Sequence, residues 1–186
     1  MSNHIDYEIN KELGECYLFM GDFDKAETYY MKAATVAPEE ADPHLGLATI
    51  HVQRAELDSA AAEYAKATEL KPSDRSLTGL GLIQMEKGCH REALELFMQA
   101  LGHNPANMVA INGLVQEGYF LNKLADIIPY LKRALEADDR EPLRYTLAGC
   151  LTALGRDEEA RVELEALLGV NPGNRSAQEL YARIAA

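Results

Sequence analysis

A short end-mark closing on proline recurs along this chain, as "VAP" at Pro38, "LKP" at Pro72, "HNP" at Pro105 and "VNP" at Pro172. Asp139 stands where a fifth proline would fall, and counting it gives spacings of 34, 33, 34 and 33 residues. A period in that range is the signature of stacked supersecondary units. The same period carries other positions. Twelve residues before each mark stand Ala26, Ala60, Ala93, Ile127 and Ala160; eight before stand Tyr30, Tyr64, Phe97, Leu131 and Leu164. Five before stand Ala33, Ala67, Ala100, Ala134 and Leu167. Each unit opens with a leucine and a small or branched residue: Leu13-Gly14, Leu47-Ala48, Leu80-Gly81, Leu114-Val115 and Leu147-Ala148. Within each unit two windows of 3.6-residue apolar spacing flank a polar turn such as "MGDFD" or "GRDEE", which predicts two antiparallel helices.

This pattern resembles the tetratricopeptide repeat family, which places a leucine-glycine pair, an aromatic, a turn glycine, then alanine, aromatic, alanine and proline at fixed offsets. The first unit matches most fully, through Leu13, Gly14, Tyr17, Gly21, Ala26, Tyr30, Ala33 and Pro38. The fourth departs most, with Gly118 for the aromatic, Asn122 for the turn glycine, and Ile127 and Asp139 for alanine and proline. The resemblance implies an all-α, right-handed superhelical solenoid of five antiparallel helix pairs plus a C-terminal capping helix. Its units fall at 7–40, 41–73, 74–107, 108–140 and 141–174 of a single repeat domain, with the capping helix at 175–186. There Ala177, Leu180, Tyr181 and Ile184 form the apolar stripe, and Gln178, Glu179 and Arg183 face outward.

Composition narrows the function. A formal charge of −12 and a pI near 4.8 disfavour a nucleic-acid partner, because affinity for a phosphate backbone comes largely from cationic neutralisation. The N-terminus lacks the cationic start and apolar run of a secretory signal, and no apolar segment approaches the roughly 20 residues that span a bilayer, so membrane insertion is not expected and the chain reads as cytoplasmic. Cys16, Cys89 and Cys150 are odd in number and far apart, matching neither a disulfide framework nor a paired-cysteine zinc site. Cys16 and Cys150 occupy equivalent small-residue positions and are expected to be buried.

The stretch "GLGLIQMEKG" at residues 79 to 88 looks at first like a phosphate loop. The spacing excludes it, since Gln84 stands where a dinucleotide fingerprint needs glycine and no lysine-serine or lysine-threonine pair follows. In the repeat register Gly81 is a packing glycine, whereas Gly79 lies two positions earlier, on the face that such repeats turn toward a concave groove. The same position holds Gly46 and Gly113. Each glycine costs a helix about 1 kcal/mol relative to alanine. The row therefore marks either a trough for another backbone or positions of tight helix packing.

The expected groove runs from an acidic end at Glu8, Lys11, Glu12, Glu15 and Phe19, through Leu45, Gly46, Thr49, Arg75, Thr78, Gly79 and Leu82, to Asn112, Gly113, Gln116, Tyr119, Phe120 and Tyr145. That lining fits a protein or peptide segment, amphipathic with basic residues. The lysine-asparagine-arginine clamp by which some members hold an acidic C-terminal tail retains only Lys11 and Arg75 among its positions, so that use is not carried over. Catalysis has little support. His44 and His51 are seven apart on one helix, about 10 Å by its rise, too far to share a metal, and read as core or boundary residues. Cys89 and His90 are adjacent in a turn with no third orienting group. Pro129 falls in the first turns of a helix. No metal or cofactor is expected. The resemblance and the lining point to a non-catalytic protein-interaction scaffold or adaptor, with a regulatory or substrate-docking portion of a longer enzyme as the alternative.

Overall fold

A computed structural model describes residues 2–185, which form eleven α-helices and, among the described residues, no strand. The chain divides into two compact units, Met1–Ala100 and Leu101–Ala186. The first holds α1 (Ser2–Phe19), α2 (Phe23–Val36), α3 (Asp42–Gln53), α4 (Leu57–Leu70), α5 (Asp74–Glu86) and most of α6 (His90–His103). The second holds α7 (Met108–Phe120), α8 (Leu124–Ala137), α9 (Glu141–Ala153), α10 (Asp157–Val170) and α11 (Arg175–Ile184).

Five turns of one design join the helices of each pair. In all of them the backbone enters the left-handed region at one residue: Gly21 (φ 76°), Ala55 (59°), Gly88 (75°), Asn122 (54°) and Gly155 (68°). The amide after it reaches back over the turn, Asp22 to the Tyr17 carbonyl, Glu56 to His51, Cys89 to Gln84, Lys123 to Gly118 and Arg156 to Leu151, at 2.7 to 3.0 Å. This closure satisfies carbonyls that the helix end would otherwise leave open. Caps at the other junctions are residue-specific. Ser73 forms a reciprocal capping box with Ser76, Asn107 accepts from the amides of Val109 and Ala110, and Asn174 accepts from Ala177.

Antiparallel packing within the first pair is visible in its contacts. Tyr17 stacks on Tyr29 with ring centroids 5.4 Å apart, Gly14 faces Tyr30, and Tyr7 clusters with Ala33 and Ala37, so partners advance along α2 as they recede along α1. Ala26, Ala60, Ala93 and Ala160 are fully buried, in keeping with close helix approach. The fourth pair solves the same problem in reverse. Ile127 replaces the alanine and is fully buried, and a Cβ on Gly118 would stand 2.8 Å from its Cδ1. Volume has moved from α7 to α8, which preserves the packing that the two departures break singly. Pro129 is the sixth residue of α8, beyond the first turn, so one helical hydrogen bond, to the Ala125 carbonyl, is absent.

Polar ties between paired helices also follow the period. His44 on α3 meets Glu63 on α4 at 2.6 Å, and Arg144 on α9 meets Glu163 on α10 at 2.6 Å, each pair nineteen residues apart in its own unit. At the corresponding positions between them stand Leu77 with Leu96 and Ile111 with Tyr130.

Candidate functional site

In the unit Leu101–Ala186, the helices α7, α9 and α11 enclose an open hollow of about 500 Å³. Tyr119 comes from the last turn of α7, Tyr145, Gly149 and Cys150 from α9, and Leu180 and Arg183 from α11. Its walls are mostly apolar in character. The hydroxyls of Thr146 and Thr152 are engaged by the carbonyls of Pro142 and Ala148 in their own helix. The Tyr119 hydroxyl and the Cys150 thiol share a hydrogen bond, and burial pushes both groups above their ordinary pKa, most directly for the buried thiol. Cys150 is thereby held as a thiol and is a wall residue rather than a nucleophile. Among the described residues Arg183 is the one charged side chain on the lining. At Gly149 an added Cβ would meet nothing within 4 Å, so the glycine leaves the hollow open at its middle.

Among the groove residues expected from sequence, Tyr119 and Tyr145 line this hollow, while Asn112, Gln116 and Phe120 are exposed on α7. Gly113 is buried. The rest of the lining, including Val115, Gly149, Cys150, Leu180 and Arg183, lies outside the expected groove. Gly149 occupies the same place in the period as Glu15, Thr49, Leu82 and Gln116, so the register itself pointed to it. Leu180, expected in the capping stripe, and Arg183, expected to face outward, both border the hollow.

In the unit Met1–Ala100 the expected trough is filled. A Cβ on Gly46 would stand 2.3 Å from Cζ of Tyr30, and one on Gly79 would stand 2.3 Å from Cζ of Tyr64. Both glycines are packing glycines, each taking the aromatic ring of the preceding helix. Leu45 and Thr78 are buried beside them, and Thr49 donates its hydroxyl to the Leu45 carbonyl. Leu82 is half-buried and Arg75 exposed. At the acidic end, Lys11 pairs with Glu8 at 2.7 Å and lies 5.5 Å from the Tyr7 ring centroid; the Glu8 hydrogen bond raises its pKa. Glu12 and Glu15 are exposed, and Phe19 is 95% exposed.

The remaining candidates are accounted for locally. His44 is buried against Glu63, and His51 bonds Glu56 at 2.7 Å. Cys89 is exposed in its turn. Cys16 corrects an expectation, because it is exposed while its counterpart Cys150 is buried. The burying partner at that position is the helix of the preceding pair, and among the described residues α1 has none.

Two models described as tetratricopeptide repeat match residues 7–71 and 121–184, more than half of the chain between them. The chain belongs to the tetratricopeptide repeat family. As a tetratricopeptide repeat protein it shares 33% identity over 110 residues with the BBSome complex member BBS4 of Bos taurus, covering 59% of this chain and 21% of that protein. It shares 30% over 142 residues with the peroxisomal targeting signal receptor of Kluyveromyces lactis, covering 75% of this chain and 24% of that one. The chain thus spans about a fifth to a quarter of the length of these curated relatives. Among solved structures, that of pilF from Pseudomonas aeruginosa superposes with a TM-score of 0.72 at 22% identity, over 100% of this chain and 85% of that one. YrrB, described as a tetratricopeptide repeat protein with an unusual peptide-binding site, gives 0.67 at 27% identity, over 83% and 81%. Among the described residues no helix is long and apolar enough to cross a membrane.

Proposed function

We propose that this chain is a non-catalytic scaffold that holds a segment of a partner protein in the hollow between α7, α9 and α11. The observation that carries the reading is the lining itself. Two tyrosines, a leucine and a glycine-floored gap offer an apolar seat, with one cation, Arg183, at its border. Apolar concavity with few placed polar groups is the ordinary form of a recognition site. The membership of the family and the likeness to a peptide-binding repeat protein support the same class of function. The segment would place an aliphatic or aromatic side chain against Tyr119 and Tyr145 and a carboxylate or carbonyl toward Arg183.

Peptide display against the folded protein, followed by titration of the selected peptides, tests this reading. Gly149→Tyr fills the hollow from a position where a side chain meets no neighbour. Selected peptides should lose at least about tenfold in affinity for that variant while its melting temperature is kept. Unchanged affinity would remove the hollow as the binding surface.

A further inference from the structure

Among the described residues nothing covers the outer face of α1, which in the period is a repeat interface. Ile9, Glu12 and Cys16 lie at spacings of three and four, on one side of the helix, with Ile5 one turn before and Met20 one turn after. In the period these three positions correspond to Pro43, Gly46 and Ile50 on α3 and to Ser76, Gly79 and Ile83 on α5. All six of those are buried, under α2 and its Tyr30 in the first case and α4 and its Tyr64 in the second. On α1 the same face is open, with Ile5 58%, Ile9 50% and Met20 63% exposed.

We propose that this face docks an amphipathic helix of a partner protein, apolar along one stripe and carrying lysine or arginine where it passes Glu12 and Glu15. The residue at the centre of the face does not admit an aromatic ring seated as Tyr30 and Tyr64 are. On α3 and α5 glycine stands there because an aromatic ring lies against it, on α9 the position holds Thr146, and Glu12 would occupy the space of such a ring. The charge selects the partner. Glu12 and Glu15 form no ion pair among the described residues, and the only lysine or arginine of α1, Lys11, is bound to Glu8. A second copy of this face would set Glu12 and Glu15 against their own likes on a chain of net charge −12. A basic helix neutralises the two carboxylates while its apolar stripe covers Ile5, Ile9, Cys16 and Met20.

Cys16 makes the face addressable, since Cys150 is buried and Cys89 is removed by Cys89→Ser. The probe is an 18-residue peptide, the length of α1, with leucine at spacings of three and four and lysine elsewhere; its control has glutamate for lysine. Benzophenone on Cys16 should crosslink to the lysine peptide and not to the glutamate peptide. On unlabelled protein, Ile9→Asp and Glu12→Lys should each lower affinity for the lysine peptide by about tenfold or more with melting temperature unchanged, because both side chains are exposed. Gly149→Tyr should leave it unchanged. Equal affinity for parent and α1 variants overturns the proposal, as does loss on Gly149→Tyr alone. Crosslinking of the protein to itself in place of the peptide assigns the face to a second copy and overturns it equally.

Discussion

The ring of Tyr30 is seated on Gly46 of the next helix pair, and a Cβ at Gly46 would overlap it at 2.3 Å. Gly14 flanks the same ring from its own pair, where a Cβ would stand 2.8 Å from Cδ1. One tyrosine thus joins two successive pairs through two glycines, and with 3% of its surface exposed it has little room to move.

Gly46→Ala should therefore destabilise the chain. Overpacking costs about 1–3 kcal/mol, against a helix-propensity gain of up to about 1 kcal/mol. Gly79→Ala should cost less, because Tyr64 is only half-buried and its ring can yield. Gly149→Ala, made into open space, should raise stability by up to about 1 kcal/mol. Thermal melts rank the three variants; Gly46→Ala melting at or above the parent would show that Tyr30 gives way.

Ala55 holds a left-handed turn conformation that its four counterparts assign to glycine or asparagine. The Cβ penalty there is about 1–2 kcal/mol, partly offset by the lower chain entropy of alanine. Ala55→Gly should raise the urea midpoint by an amount equivalent to about 0.5–1 kcal/mol, and Gly88→Ala should lower it by a similar amount. No movement at either site would mean that the turns relax without cost.

Gly118 and Ile127 exchange volume across the fourth pair and should behave as a coupled unit. Ile127→Ala leaves a cavity and should cost about 2–4 kcal/mol, while Gly118→Tyr drives a ring into Ile127. The double variant restores the arrangement of the first pair, Tyr17 over Ala26, and should recover about 1–3 kcal/mol of the summed loss. A double-mutant cycle by denaturant titration gives the coupling directly; strict additivity would separate the two residues. Pro129→Ala should independently slow amide exchange in the middle of α8, by returning the missing helical bond from residue 129 to the Ala125 carbonyl.

Burial pushes the Tyr7 and Tyr30 phenols up from 10.0 to about 12. Between those values the unfolded chain has released the phenolic protons and the folded chain retains them. Stability should then fall as pH rises from about 10 to about 12, by up to about 1.4 kcal/mol per pH unit for each group. Tyr30→Phe removes one titrating group, so its stability should decline less steeply than the parent across that interval. Parallel profiles would show that Tyr30 does not contribute.

The sequence by itself determined the period, the helix pairs and the buried alanines, because a repeated pattern of apolar spacing and turn residues states each local rule several times over. It also contained the place of Gly149, at the register of Glu15, Thr49, Leu82 and Gln116. Only the tertiary structure decided what each glycine is for. Gly46 and Gly79 lie beneath rings of the preceding pair, whereas Gly149 faces open space, and this depends on side chains about sixteen residues away or absent altogether. Likewise Cys16 and Cys150 share a register and differ in exposure, because burial at that position is supplied by a neighbouring helix and not by the residue's own. Local periodicity fixes which face a side chain is on; what stands opposite that face is a property of packing.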